Sequence, residues 1–272
     1  MIELVKTSQP VDHALPGHGW TLKKLRSWVQ HQLGQQVSRT TLRTLLKSSG
    51  LSWKKCKKLL SKANPQKRAT FIREVQALFE RLCRGEIRLI YLDEAHFHQD
   101  LDLGYTWALK GEPSWRKSSC PPLAARLNSY GAYDFSEGRC FIWHEGACNG
   151  DHTIRFLKRL KQWLNDTQRL IIIIWDGAPW HRSLKVLAAA AELGLKLIQL
   201  PPYSPDLNPI EGLWKWMRED VLQLYCHTSL RELFLDCLAF IDRINLDPET
   251  LISRLWPKFD LDPNYEKLLL SF

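Results

Sequence analysis

The sequence predicts an α/β fold, a mixed sheet covered by helices, behind a small all-α head. Three observations carry this. The run Leu170–Trp175 (LIIIIW) has the continuous apolar pattern of a strand buried on both faces. Strand-like and helix-like segments succeed one another over the larger part as three or four strands, helix, strand, helix, strand, helix. The basic excess is confined to the first quarter. Residues 1–70 hold 14 Lys and Arg against 2 Asp and Glu, whereas the remaining 202 residues hold 24 against 27. A basic module joined to a near-neutral one suggests a polyanion-binding head on a separate machine.

The elements follow in order. Thr21 can cap a helix whose apolar stripe is Leu22, Leu25, Trp28, Val29 and Leu33, ended by Gly34. Ser38 can cap a second, with Leu42, Leu45 and Leu46 inward and Arg39, Arg43 and Lys47 outward, and Gly50 stands where a helix-ending glycine belongs. Two short helices with a basic outer face read as a helix-turn-helix, followed at Trp53–Lys58 (WKKCKK) by a basic wing or strand able to touch phosphates. The DNA-contacting candidates are therefore Arg39, Arg43, Lys47, Lys54, Lys55, Lys57 and Lys58. Pro65 begins a linker helix. Ile87–Asp93, Tyr105–Leu109, Arg126–Phe135 and Arg139–His144 read as strands, and Asp151 as the cap of a helix through Leu164. After LIIIIW come a helix over His181–Leu193, a strand at Leu195–Leu200, a proline-rich loop over Pro201–Pro209 and a helix over Pro209–Leu224. Residues 225–272 read as helical with breaks at Pro248, Pro257 and Pro263. The boundaries expected are 1–64 for the head, 65–85 for the linker helix, 86–225 for the sheet domain and 226–272 for a helical extension.

Composition narrows the class. The 272 residues are 44% hydrophobic and 25% charged, globular values that exclude disordered and fibrous chains. A six-residue apolar run falls far short of the about 20 residues of a bilayer span, and Met1–Pro10 has no apolar core of a secretory signal. Seven cysteines without a CxxC pair point to reduced thiols in a cytoplasmic protein rather than to disulfides or a zinc ribbon.

The chemistry gathers at carboxylates. Asp93 ends the first strand, Asp176 ends LIIIIW, and Glu211 lies in the first turn of the last sheet-domain helix. In open α/β sheets, function collects at the carboxyl ends of strands. If those two strands are neighbours, their aspartates sit side by side, a costly arrangement unless something positive compensates. Two Mg²⁺ ions, hard cations about 3.5–4 Å apart, do so naturally and can drive phosphoryl transfer. Glu94, Asp100 and Asp102 are rivals to Asp93, and strand alternation does not choose among them. His96 and His181 flank the acids and could approach a phosphate or help position a carboxylate. Asn208 reads as the cap of the helix bearing Glu211, Tyr203 and Ser204 as loop residues able to touch DNA, and Trp115 as an exposed loop aromatic.

Three blocks carry a family resemblance: Tyr91–Phe97 (YLDEAHF), Trp175–Ser183 (WDGAPWHRS) and Leu200–Trp214 (LPPYSPDLNPIEGLW). Together they resemble the catalytic blocks of mariner-superfamily DDE transposases, most of all the bacterial insertion-sequence branch. The 34 residues between Asp176 and Glu211 are similar to that family's spacing, and the resemblance spans residues 18–260. It implies a ribonuclease H-like fold, and Asp93, Asp176 and Glu211 as a triad holding two Mg²⁺ (or Mn²⁺) ions. It also implies cleavage at transposon ends followed by transfer of the freed 3′-hydroxyl into target DNA. The implied partners are double-stranded DNA, as terminal inverted repeats and target, and a second or further copies of the chain in a synaptic complex, with no membrane. The family usually carries two helix-turn-helix units; here one is expected, matching the second through Trp20–Lys55. A DNA-binding derivative without catalysis, and a ribonuclease H-like nuclease without strand transfer, remain as alternatives.

Overall fold

A computed structural model describes residues 1–54 and 64–256. The chain divides into two compact units, Met1–Lys58 and Leu59–Phe272.

In the first unit, α1 (Ile2–Thr7), α2 (Leu22–Leu33) and α3 (Arg39–Ser48) enclose a small core of Leu25, Val29 and Leu42. The two expected caps are formed: Thr21 accepts the Lys24 N–H and Ser38 the Thr41 N–H. Gly50, at φ +77°, turns the chain out of α3, and the Leu51 N–H returns to the Leu46 carbonyl, closing the helix end. Arg39, Arg43, Lys47 and Lys54 are exposed, whereas Lys55, Lys57 and Lys58, and with them the body of the expected wing, lie outside the described residues. One expectation fails. Leu45 is exposed rather than inward, because the packed face of α3 is a narrow stripe around Leu42. The extreme N-terminus, which has no strong apolar period, still folds as α1 by laying Leu4 and Val5 against that core.

The second unit is a five-stranded mixed sheet of order β3-β2-β1-β4-β5, with β1 at Ile87–His98, β2 at Arg126–Asp134, β3 at Arg139–Glu145, β4 at Leu170–Trp175 and β5 at Leu195–Gln199. β1, β4 and β5 run parallel, β2 pairs antiparallel with β1, and β3 pairs antiparallel with β2 and so runs in the direction of β1. This is the ribonuclease H-like arrangement. On one face lie α4 (Pro65–Cys83), α7 (Ile210–Met217), α8 (Leu230–Asn245) and α9 (Pro248–Arg254). The other face carries α5 (Gly150–Leu164) and α6 (Leu184–Glu192). The pleat sorts the side chains. Leu89 and Tyr91 of β1, with Ile172 and Ile174 of β4, enter the first core, and Ile90, Leu92, Ile171 and Ile173 the second. Both α4 and α8 bury apolar stripes in the first core, so the helices flanking the sheet domain in sequence are integral to its packing.

Several local expectations are corrected. Tyr105–Leu109 is not a strand. It lies in a long connection where Tyr105 and Trp107 are fully exposed, since β-propensity makes no ladder without a partner edge. The cap of α5 is Asn149, whose side chain accepts from the Asp151 and His152 N–H groups; Asp151 instead pairs with Lys185. α6 starts at Leu184, after an irregular turn, and α7 ends at Met217 in a π-helical turn over Arg218–Leu222. Pro248 opens α9 rather than breaking a helix, because a proline costs nothing at the first helical position. Trp115 is exposed, as expected for a loop aromatic. Among the described residues, no helix is long and apolar enough to cross a membrane.

Candidate active site

The site is set by register. Tyr91 of β1 pairs with Ile174 of β4, so two residues further on Asp93 and Asp176 stand level. Asp176 follows the end of β4, whereas β1, expected to end at Asp93, runs on to His98 because its continuation pairs with β2. By alternation both aspartates belong to the face on which α7 packs. There α7 carries Glu211 in its first turn and Trp214 one turn later. Asp93, Asp176 and Glu211 line one cleft of about 450 Å³, together with Arg182, Gln199, Tyr203, Ser204 and Asn208. The rival Glu94 points through the opposite face, away from this cleft. Strand alternation could not choose between neighbours until the position of α7 was known. Asp100 caps the Leu101 amide and Asp102 pairs with Arg218, both outside the cleft. His96 is exposed; its backbone carbonyl accepts from Arg218.

The three acids differ electrostatically. Burial pushes the Asp93 carboxyl well up, the charges of Glu211 and Glu94 push it further, and the Trp214 Nε1–H, 3.0 Å from Oδ2, opposes them. Glu211, at the cleft mouth, is raised by desolvation against the walls and by Asp176. Asp176 is lowered, because His181 donates to its Oδ1 at 2.8 Å and the Ala178 N–H at 3.0 Å. His181 itself is buried. Burial alone would lower it, but Asp176 and Glu94 outweigh that and hold it up at about 9. Within one cleft, then, one carboxyl is shifted down and two are shifted up from their ordinary values.

The loop leading into α7 is fixed from outside. Arg68 of α4, fully buried, meets Asp206 through two hydrogen bonds of 3.2 and 2.8 Å. Tyr203 takes a left-handed backbone, φ +59°, rare for an aromatic residue and found where a chain is held for function. Asn208 does not cap α7. The N-cap is Pro209, without a side-chain bond, and the buried Asn208 Oδ1 has no hydrogen-bond partner.

The donor set suits a hard divalent cation: three carboxylates that repel one another, and a neutral amide oxygen left unsatisfied beside them. Among the described residues, the three potential donors lying within 4.8 Å of one another are Glu94, Asp176 and His181. That cluster is a closed hydrogen-bonded row with both imidazole nitrogens engaged. Asp93, Asp176 and Glu211 are the groups that open on the cleft.

A ribonuclease H-like sheet that gathers carboxylates from β1, the end of β4 and α7 in one cleft is an arrangement suited to metal-assisted phosphoryl transfer. The chain belongs, more narrowly, to the DDE superfamily endonucleases, whose family model matches residues 88–233, and a winged helix-turn-helix model matches residues 16–75. It is 25% identical over 247 residues to the insertion element IS630 39 kDa protein of Shigella sonnei, covering 90% of this chain and 70% of that one. Its fold is similar to the Mos1 mariner paired-end complexes with Mn (TM-score 0.65, 16% identity, 94% of this chain and 80% of that one) and with Mg (0.61, 16%, 94% and 81%). It is also similar to the Mos1 strand transfer complex (0.60, 17%, 94% and 79%).

Proposed function

We propose that this endonuclease is a transposase of the mariner and IS630 kind, cutting DNA at the ends of its element and joining the freed 3′-hydroxyl to a target strand. The observation that carries the reading is the single cleft shared by Asp93, Asp176 and Glu211. In it these three side chains hold two divalent cations, Mg²⁺ or Mn²⁺. When bound, such ions activate the attacking oxygen and stabilise the leaving one. Asp176, its carboxyl held down by His181, offers a ready anion, and Asp93 and Glu211 complete the donor set. Trp214 fixes the direction of Asp93. Arg182, exposed on the cleft wall, meets a non-reacting phosphate oxygen.

The basic head grips duplex DNA through Arg39, Arg43, Lys47 and Lys54, with Lys55, Lys57 and Lys58 continuing the same run of charge. Residues 1–64 serve as the binding head, 65–85 as the linker helix, 86–225 as the catalytic domain, and 226–272 as its extension, of which 226–256 are described and carry α8 and α9. Two copies bring two DNA ends together. The exposed Leu103, Tyr105, Trp107, Leu109 and Trp115 between β1 and β2 support self-association, since so much apolar surface on one connection is characteristic of a binding face.

The test is cleavage of DNA bearing the element's ends in Mg²⁺ or Mn²⁺. Wild type is expected to cut and Asp176→Ala not to; equal activity ends the proposal. Pre-cut ends offered with a target plasmid separate a transposase, which joins them, from a nuclease, which does not.

A further inference from the structure

Behind Asp176 lies a row of side chains outside the cleft. His181 is buried between two carboxylates, with Nδ1 2.8 Å from Asp176 Oδ1 and Nε2 2.8 Å from Glu94 Oε1. Glu94 Oε1 also accepts the Trp180 indole N–H at 3.1 Å. The Trp175 ring lies flat on the imidazole, centroids 4.1 Å apart and planes 9° from parallel. The row joins three pieces of chain: β1 gives Glu94, the end of β4 gives Trp175 and Asp176, and the turn before α6 gives Trp180 and His181.

Its effect falls on one oxygen. Asp176 Oδ1 is held twice, by His181 and by the Ala178 N–H. A carboxylate pinned through one oxygen has a fixed plane, so its other oxygen keeps one direction. The row does not itself offer a cation site. Both ring nitrogens are engaged with carboxylates and point in opposite directions, and Glu94 is absent from the cleft wall.

We propose that Glu94 and His181 are positioning residues, a relay that holds the Asp176 carboxylate in the orientation in which it takes a divalent cation. This rests on the reading of Asp176 as a metal-binding acid. Such outer partners typically govern 10- to 100-fold of metal affinity, about the range expected here.

The test is Mn²⁺ binding by the full chain without DNA, followed by the electron paramagnetic resonance of free Mn²⁺ in wild type, Asp176→Ala, His181→Ala, His181→Asn and His181→Gln. The asparagine amide can replace Nδ1 and reach Asp176; the glutamine amide can replace Nε2 and reach Glu94 but not Asp176. The relay predicts that His181→Ala and His181→Gln lose about 10-fold or more and that His181→Asn recovers most of the loss. If His181→Ala does not fold, the asparagine and glutamine pair carries the test. Wild-type affinity in His181→Gln makes the row merely structural and overturns the relay. Equal losses in all three His181 variants make His181 a ligand and overturn it as well. Unchanged affinity in Asp176→Ala removes the metal-binding reading itself, a failure distinct from the relay's.

Discussion

The start and the middle of β1 bury charge in opposite ways. Near its start, Arg88 is 3% exposed and lies between Asp134, itself fully buried, at 2.6 Å and Asp166 at 3.4 Å, with the Leu164 carbonyl as a third acceptor. Every charge there has its opposite. Five residues on, Asp93 faces Glu211 and, one strand over, Asp176, with an indole N–H for company and no cationic side chain within hydrogen-bonding reach among the described residues. Burial raises both Asp93 and Asp134, but only Asp134 has a guanidinium against it. The difference teaches what each stretch can do. A balanced charge ties β1 to β2 and to the end of α5, whereas an unbalanced one is suited to a cation brought from outside, as the proposed function requires.

The sharpest way to break this comparison is Asp93→Asn. Cleavage in Mg²⁺ is expected to fall about 10³-fold, the loss of several kcal/mol of transition-state stabilisation. The melting temperature should stay level or rise, because a neutral amide replaces an acid that burial disfavours. A clear fall in melting temperature would show that Asp93 is structural. The mirror experiment is Arg88→Met. It strands the buried Asp134 carboxylate, while Asp166 keeps Arg169 at 2.6 Å, and should cost about 3–5 kcal/mol in urea denaturation; a cost under about 1 kcal/mol would erase the contrast.

A pH series sharpens it further. Asp93 and Glu211 have folded pKa values above their unfolded ones. Their contribution to stability is therefore full below the ordinary carboxylate range and is lost as pH rises through the raised values. Over that window the stability of Asp93→Asn should gain on wild type, and Mn²⁺ affinity should climb by up to about tenfold per pH unit for each proton released. Isothermal titration in two buffers of different ionisation enthalpy counts those protons. The smallest effect is expected in the head: Arg43→Ala should weaken binding to all DNA sequences alike and reduce the salt slope by about 1, measured by fluorescence anisotropy.

Much of this was readable in the sequence where one local rule dominates. LIIIIW became β4 because nothing but a twice-buried strand suits it, and Thr21 and Ser38 became caps because their side chains reach only their own first turn. Asp176 at the end of β4 was legible for the same reason, whereas Asp93, expected to end its strand, stands inside a β1 that runs on to His98. Tyr105–Leu109 misled because strand propensity does not reveal whether a partner edge exists. Asn208 misled because a cap motif one residue upstream of Pro209 is indistinguishable, in sequence, from a polar group held for the cleft. The choice of Asp93 over Glu94, and the link from Glu94 through His181 to Asp176, depend on which helix covers which face. Residues 87 positions apart announce such a contact by no periodicity.

Gly131 carries a last consequence. It sits opposite Asp93 on β2, and a methyl group added there would collide with the Trp214 ring, the same ring whose nitrogen steers Asp93. A bare backbone on a neighbouring strand thus makes the slot in which the indole lies. Alanine at this position would leave every acid in place and still swing the steering arm aside, disarming the enzyme through a residue that has no side chain to lose.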